Sequence, residues 1–132
     1  MIVVDASVLS NSLADDGLDG AEARNALSQA GEAAVPDLAD VETAAVLRKR
    51  WMAQTITDDR FSTAIDILAG LPFRRYPTSL FLRRAYELRS NITAYDAVYV
   101  ALAEALDCEL VTCDARLARA SGARCHIRVL RG

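Results

Sequence analysis

The chain alternates short apolar segments with longer helical ones, and an acidic residue directly follows two of the short segments. Asp5 ends the apolar run 2–4, and Asp114 follows the run 110–113. Short strands that alternate with helices predict an α/β fold with a mostly parallel sheet covered on both faces. Because ligands in such sheets bind outside the carboxyl ends of the strands, Asp5 and Asp114 are expected to lie at a binding edge.

Apolar periodicity and the positions of glycine and proline predict the order of the elements. Strands are expected at 2–4, 33–35, 73–76, 109–112 and 126–130. Helices are expected at 5–13, 21–30, 38–52, 58–68, 77–88, 94–106 and 115–120. The sequence contains no internal repeat, low-complexity segment or linker, so the 132 residues are expected to form one domain with a substantial core.

Composition narrows the class of protein. Apolar residues make up 52% of the chain and the charges are mixed, which argues against disorder. The N-terminus lacks the basic region of a signal peptide, and no apolar run approaches the ~20 residues that span a bilayer. A soluble, cytoplasmic protein with no membrane partner is therefore expected.

Cysteine and histidine are too few for the usual zinc or triad sites. The chain has three cysteines and one histidine, and among these only Cys125 and His126 are adjacent. A zinc site would need an unusual ligand set, and reduced, partly buried thiols are the simpler interpretation. A nucleophilic triad that requires histidine is disfavoured for the same reason.

The basic residues are unevenly distributed. The net charge of −3 does not by itself favour nucleic-acid binding. Basic residues nevertheless cluster at 48–50, 74–75 and 83–84, and Arg116 and Arg119 follow the last acidic residue. Two interpretations stay open: these clusters are solvated helix faces, or they contact phosphates beside an acidic pocket.

Three of the acidic residues have simple structural explanations when each is taken alone. Asp5 and Asp114 can each cap the helix that follows. Thr93 and Asp96 fit a capping box, in which Thr93 caps the helix and Asp96 reaches back. Capping alone would therefore account for these positions.

Glu42 is harder to explain as a structural residue. It lies at the margin of a predicted apolar stripe, where a carboxylate usually has a partner. Lys49 shares this edge but lies two turns away, too far for a favourable i,i+4 pair. The predicted stripe consists of Leu38, Val41, Ala45 and Met52.

Taken together, the four acidic residues predict a metal-dependent site. Two like charges ~4 Å apart repel by ~4 kcal/mol at an effective dielectric constant of about 20. If the fold gathers these carboxylates, a divalent cation relieves the repulsion, and metal-assisted phosphodiester chemistry is its natural use. The four are Asp5, Glu42, Asp96 and Asp114.

The chain resembles PIN-domain ribonucleases, specifically the VapC-type toxins of toxin–antitoxin pairs. The segments that carry the resemblance are IVVDAS at 2–7, Pro36 and Leu38 with Glu42 and 47–48, TAYDAVYVALA at 93–103, and LVTCD at 110–114 followed by 117–120. All four occur in order across essentially the whole chain. The resemblance implies a PIN-like three-layer α/β/α sandwich with a mostly parallel five-stranded sheet.

The resemblance also implies an acidic pocket, with Mg²⁺ or Mn²⁺ as the cofactor and RNA as the substrate. We expect Asp5 and Asp96 to be direct metal ligands. Asp114 is expected to be a ligand or an outer support, and Glu42 a ligand or the group that holds an attacking water. The candidates for orienting these carboxylates or waters are Ser7, Thr93 and Thr112.

Partners follow from the same resemblance, which implies a homodimer and a small VapB-type antitoxin whose C-terminal segment blocks the site. Leu47 and Trp51 lie on the opposite side of helix 38–52 from the predicted stripe. They either pack against helix 58–68 or contact a partner. If Trp51 contacts the antitoxin, Trp51→Ala should weaken antitoxin binding more than RNA cleavage.

Two other functions compete with the nuclease. A PIN-like fold without catalysis would serve as a binding module, although all four acidic residues are present. An aspartate-based phosphatase of the haloacid dehalogenase type needs a second aspartate two residues after the first, where this chain has Ser7. Turnover that depends on Mg²⁺ or Mn²⁺ separates an enzyme from a binding module. The sequence does not identify the RNA target.

Overall fold

A computed structural model describes residues 1–131, so that Gly132 of the predicted domain lies outside the described residues. The strands are β1 (Ile2–Val4), β2 (Ala33–Pro36), β3 (Arg74–Tyr76), β4 (Leu110–Thr112) and β5 (Ile127–Val129). The helices are α1 (Ala6–Ala14), α2 (Leu18–Ala30), α3 (Leu38–Met52), α4 (Asp58–Gly70), α5 (Leu82–Glu87), α6 (Ala94–Leu106) and α7 (Ala115–Arg119). A 3₁₀ helix, Thr78–Phe81, precedes α5.

All five strands form one parallel sheet in the order β3-β2-β1-β4-β5. β1 occupies the centre, where Val3 pairs with Ala34 on one side and with Leu110 on the other. The residues that follow β1 and β4 therefore lie side by side at the same end of the sheet. The predicted α/β/α fold with a parallel five-stranded sheet is confirmed.

The strands are buried because their apolar side chains fill the centre of the molecule. Val3, Val4 and Val111 are fully inaccessible to solvent. Helix α6 packs against β1, β2, β4 and α5, and α1 packs against α2, α3 and α4. No helix among residues 1–131 is both long and apolar enough to cross a membrane.

The prediction for the buried face of α3 is wrong. Val41 and Met52 are 74% and 59% exposed, and Ala45 is also exposed. The residues that α3 buries are Ala39, Thr43 and Leu47. Ala39 is small and Thr43 is polar, so the face of α3 that packs against the protein is not its most apolar face. The pattern of apolar residues therefore predicted the wrong face as buried.

The structure also decides between the two explanations for Leu47 and Trp51. Leu47 is fully buried in a cluster with Leu13, Ala64 and Leu68, beneath α4. Trp51 is 40% exposed, and its ring lies 6.1 Å from the ring of Phe61. Packing against α4 therefore accounts for Leu47 fully and for Trp51 in part.

Two element boundaries differ from the prediction. The segment 77–88 begins as a 3₁₀ helix and becomes α-helical only at Leu82. Helix α2 begins at Leu18 rather than 21, because Asp15 accepts hydrogen bonds from the amides of Gly17 and Gly20. A Cβ at Gly20 would lie 1.8 Å from the Asp15 carbonyl oxygen, so only glycine fits this close approach.

Candidate active site

Asp5 stands at the carboxyl end of the central strand and caps α1. Its Oδ1 accepts hydrogen bonds from the Ser7 amide at 3.1 Å and the Val8 amide at 3.3 Å. The Ser7 hydroxyl donates to the same oxygen, and the Thr112 hydroxyl donates to Oδ2, both at 2.5 Å. With 7% exposure and both oxygens bonded, the Asp5 carboxylate is held in a fixed orientation.

The two hydroxyls that contact Asp5 also join the ends of β1 and β4. Ser7 Oγ accepts a hydrogen bond from the Cys113 amide at 3.0 Å. Thr112 Oγ1 accepts one from the Asp114 amide at 3.0 Å. Ser7 and Thr112 thus fix the position of Asp114 relative to Asp5, through a single network of short contacts.

Glu42, on the first turns of α3, is bonded by a residue that the sequence did not suggest. The Tyr99 hydroxyl donates to Glu42 Oε1 at 2.6 Å, and the Tyr99 side chain is 1% exposed. Within residues 1–131 no ion pair joins Glu42 to Lys49, which is exposed, as its distance of two turns along the helix suggested. Tyr99 lies three residues after Asp96 and shares its face of α6, but nothing in the sequence pairs Tyr99 with Glu42.

Asp96 lies in the first turn of α6, but its carboxylate is only loosely held. Thr93 caps the helix, with its Oγ1 accepting from the Asp96 amide at 3.3 Å. The Thr93 hydroxyl also lies 3.4 Å from Asp96 Oδ2, within long hydrogen-bond range. The predicted cap is present, yet it leaves most of the hydrogen-bonding capacity of the Asp96 carboxylate free.

Asp114 caps the short helix α7, as its position after β4 suggested. Its Oδ1 accepts from the Arg116 amide at 2.9 Å and lies 3.4 Å from Arg116 Nε. Arg116 is 86% exposed, so this charge contact stands at the surface. Its Oδ2 has no protein donor among the contacts of residues 1–131.

These four carboxylates face one cavity of about 190 Å³. The residues that line it are Asp5, Ala6, Ser7, Glu42, Asp96, Tyr99 and Asp114. A larger cavity of about 550 Å³ lies beside Trp51 at the end of α3, but Asp58 is the only ionisable residue that lines it. We therefore base the choice of site on the gathered carboxylates rather than on cavity size.

The electrostatics of the cavity disfavour charge on three of its acids. Burial is the main cause of a raised pKa for Asp5, Glu42 and Asp96. Repulsion adds to the effect, because the charges of Asp5 and Asp96 raise the pKa of Glu42, and those of Asp5 and Asp114 raise the pKa of Asp96. No basic side chain lines the cavity itself, and the nearest compensation is the exposed Arg116, which contacts Asp114 at 3.4 Å.

The donor set suits a hard divalent cation. No three described His, Cys, Asp or Glu side chains stand close enough to form a complete ligand cage, either here or around Cys125 and His126. Mg²⁺ does not need one, since it keeps several waters and is usually held by one or two carboxylates. The three cysteines are free and half-buried, as expected for structural thiols.

Most of the predicted basic clusters serve the fold rather than the site. Arg50 donates to the Asn11 side chain, Arg75 pairs with Asp40, and Arg84 pairs with Glu104. Among the arginines noted in the sequence, Arg116 is the one that lies beside the carboxylates. Of the basic residues considered as phosphate contacts, Arg116 is therefore the remaining candidate.

Comparison with known proteins identifies the family. The PIN domain matches residues 2–123. The chain is 39% identical over 130 residues to "Ribonuclease VapC1" of Mycobacterium tuberculosis, covering 98% of this chain and 97% of the relative. Among solved structures, PAE2754 from Pyrobaculum aerophilum has a TM-score of 0.67 at 25% identity, covering 97% of this chain and 83% of that one.

A further solved structure shares the fold alone. VapBC2 from Rickettsia felis, solved bound to a DNA fragment from its promoter, gives a TM-score of 0.68 at 14% identity, covering 96% of this chain and 97% of that one. The family match and the near full-length identity to a curated ribonuclease agree with the acidic cavity at the carboxyl end of the sheet. The chain belongs to the PIN-domain family and, within it, to the VapC ribonucleases.

Proposed function

We propose that this VapC ribonuclease hydrolyses RNA phosphodiester bonds at the acidic cavity with Mg²⁺ or Mn²⁺ as its cofactor. The observation that supports the metal is the crowding of acidic groups: four carboxylates share a cavity whose lining contains no basic side chain, and the pKa values of three are raised. A protein that keeps such a cluster without cations loses stability at neutral pH. A bound cation would offset the repulsion between the carboxylates and could take part in phosphodiester hydrolysis.

We assign the roles of the carboxylates from how firmly each is held. Asp96 and Asp114 have oxygens without strong protein donors and are therefore proposed as metal ligands, together with the fixed Asp5. Glu42 is proposed to hold the attacking water, since Tyr99 fixes one of its oxygens and leaves the other free. A divalent ion would polarise the scissile phosphate and lower the pKa of a nearby water.

The hydroxyl groups would act through the carboxylates. Ser7 and Thr112 donate to Asp5, which opposes the effect of burial on its pKa, and they would hold it oriented toward the cation. Thr93 would limit the rotation of Asp96 through its 3.4 Å contact. We propose that these three residues position the ligands without touching the substrate.

We further propose that residues 1–132 form a single PIN-type domain that works in the cytoplasm as the toxin of a type II pair. Its partners would be a VapB-type antitoxin and a second copy of the chain. Trp51 and Met52, 40% and 59% exposed, line the cavity of about 550 Å³ and are our candidates for the antitoxin surface. Titration of Trp51→Ala with the purified antitoxin tests this assignment, because affinity equal to that of the wild type would contradict it.

The alternatives make different demands on the site. A binding-only module would not need to keep all four acids facing one cavity. A phosphatase of the haloacid dehalogenase type would need a second aspartate two residues after Asp5, but Ser7 occupies that position and donates to Asp5. The nuclease is therefore the function that the geometry supports best.

Cleavage of total RNA in Mn²⁺ or Mg²⁺ by the wild type, Asp96→Asn and Asp66→Asn tests the proposal. Asp66 is an exposed residue of α4 and controls for the loss of one charge. We expect the wild type and Asp66→Asn to cleave, with EDTA and Asp96→Asn abolishing the activity. Equal cleavage by Asp96→Asn would contradict the site, and a folded, antitoxin-free wild type without any turnover would favour the binding module.

A further inference from the structure

A second cavity of about 270 Å³ adjoins the acidic one. Asp96 and Asp114 line both cavities, so the two spaces meet along this pair of carboxylates. The remaining residues that line the second cavity are Asn91, Ile92, Thr93, Arg116 and Leu117. An RNA chain with one phosphate in the acidic cavity must place its next nucleotide outside that cavity. The second cavity is adjacent and can hold this nucleotide.

The lining of the second cavity suits a nucleotide. Ile92 and Leu117 are 5% and 4% exposed and provide an apolar surface, whereas Asn91 and Thr93 are exposed and offer hydrogen-bonding groups. Bases in single-stranded RNA are bound through contacts with an apolar or aromatic surface together with hydrogen bonds at their edges. The acidic cavity, in contrast, is lined mainly by carboxylates, and its aromatic residue, Tyr99, is 1% exposed and bonded to Glu42.

Arg116 is the only basic residue that lines either cavity. Its side chain is 86% exposed, and the one carboxylate it meets, Asp114, is 37% exposed at 3.4 Å. Contacts of this kind contribute little, about 0–1 kcal/mol. The guanidinium can therefore exchange a single weak contact for a bidentate one to phosphate at small cost.

The charge of Arg116 also reaches the acids of the site. Burial and the neighbouring carboxylates raise the pKa of Asp96, and Arg116 acts in the opposite direction. The guanidinium of Arg116, in the second cavity, is thus close enough to act on a carboxylate that lines both cavities.

We propose that the second cavity is the subsite for the ribonucleotide next to the cleaved bond, and that Arg116 binds the backbone phosphate of that nucleotide. This inference rests on the proposed nuclease function. It assigns Arg116 to substrate binding and not to metal binding.

The test compares Arg116→Ala with Arg119→Ala, which removes an exposed arginine from the same helix outside both cavities. The probe is a short fluorescein-labelled single-stranded oligoribonucleotide of mixed sequence, with Ca²⁺ as the cation. Fluorescence anisotropy over a range of salt concentrations gives the affinity and its salt dependence. Gel analysis confirms that the probe stays intact.

We expect Arg116→Ala to bind the probe about fivefold to tenfold more weakly, with the slope of log K against log salt reduced by about 0.7, which corresponds to one lost phosphate contact. Arg119→Ala should keep the wild-type affinity within about twofold, as expected for an arginine outside the contact. Calorimetric Mn²⁺ binding should be at least as strong in Arg116→Ala as in the wild type, because a positive charge beside Asp114 is removed, whereas a purely structural role would weaken it.

Each other outcome overturns the inference. Wild-type affinity and slope in Arg116→Ala would remove the subsite while leaving metal-dependent cleavage intact. Equal losses in the two variants would show general attraction between RNA and a basic surface. A wild type that cleaves no RNA and does not bind the probe would remove the proposed function together with the subsite.

Discussion

Helix α6 carries two partly buried carboxylates, Asp96 near its start and Glu104 near its end, and the protein treats them in opposite ways. Glu104 accepts hydrogen bonds from Arg84 at 2.8 and 3.1 Å and from the Arg124 amide at 2.6 Å. Asp96 has the 3.4 Å contact with the Thr93 hydroxyl. One end of the helix is therefore neutralised by an arginine, and the other is left with its charge.

The pKa values follow this difference. Burial acts to raise the pKa of Glu104, but the bonds from Arg84 and the Arg124 amide bring it below its ordinary value. Burial also acts on Asp96, and there the charges of Asp5 and Asp114 add to it, so the pKa is raised. Full compensation is typical of a scaffold residue such as Glu104, whereas the weak compensation of Asp96 supports its proposed role as a metal ligand.

The largest loss of stability is expected when the ion pair between Arg84 and Glu104 is broken. Arg84→Ala leaves the Glu104 carboxylate, 13% exposed, without its cation. We expect the free energy of unfolding to fall by about 3 kcal/mol, the lower end of the range for breaking a buried pair. Urea unfolding measures it. Arg83→Ala, which removes an exposed arginine from the preceding position, should cost less than about 1 kcal/mol. Equal losses of stability in Arg84→Ala and Arg83→Ala would show that the Glu104 pair contributes no more than a surface contact.

The sequence was a good guide to whatever depends on local pattern. Alternating short strands and helices predicted the parallel sheet, and the acids after β1 and β4 were correctly placed at one end of it. Helix α6 was also predicted with its observed bounds, because its apolar residues leave little choice.

The sequence was a poor guide to contacts between distant segments. Tyr99 and Glu42 lie 57 residues apart, and Arg84 and Glu104 lie 20 apart, so neither pair follows from helical spacing. The buried face of α3 was missed for the same reason, since α3 packs against α1, α4 and β2, and these distant segments together bury Ala39, Thr43 and Leu47. The roles of the four acids stay predictions until activity is measured.

Addition of Mn²⁺ should stabilise the protein through Asp96, at the start of α6, and not through Glu104. At Mn²⁺ concentrations 100 times the dissociation constant, the wild type should gain about 2.7 kcal/mol. Asp96→Asn should gain less than half of this, because one proposed ligand loses its charge, whereas Arg84→Ala should show the full increment despite its lower starting stability. Thermal denaturation in EDTA and over a Mn²⁺ titration measures the increments. A full gain by Asp96→Asn would show that the cation does not need this carboxylate.

Glu42 lies between the two extremes, since its partner is the neutral Tyr99 hydroxyl at 2.6 Å. Burial is the main cause of its raised pKa, and the hydroxyl bond acts in the opposite direction. Tyr99→Phe should therefore raise the pKa of Glu42 further and move the acidic limb of the pH–activity profile to higher pH. We expect a rate loss of about tenfold at neutral pH, or ~1.4 kcal/mol.

Tyr95→Phe is the matched control for this change, because Tyr95 is 68% exposed on the same helix. It should keep both the rate and the pH profile of the wild type. An acidic limb that stays in place in Tyr99→Phe, with only a lower rate, would show that the hydroxyl orients Glu42 without tuning its ionisation.

The smallest expected effect concerns Asp96 in the metal-free protein. Because its pKa is raised in the folded state, the folded protein holds this proton more tightly than the unfolded chain does. The associated stability is fully present below the unfolded pKa of about 3.9 and is lost as the pH rises through the folded pKa. Asparagine cannot ionise, so Asp96→Asn should be more stable than the wild type at pH 7 in EDTA.

We expect a gain below about 1 kcal/mol, since Asp96 is partly exposed and solvent screens its charge. The gain should shrink as the pH falls below the folded pKa of Asp96, where the wild-type carboxyl holds its proton as well. Urea unfolding in EDTA at several pH values measures it, with Asp66→Asn as the exposed control. A wild type more stable than Asp96→Asn at pH 7 would mean that the protein stabilises the charge of Asp96. Asp96 and Glu104 would then both be stabilised carboxylates.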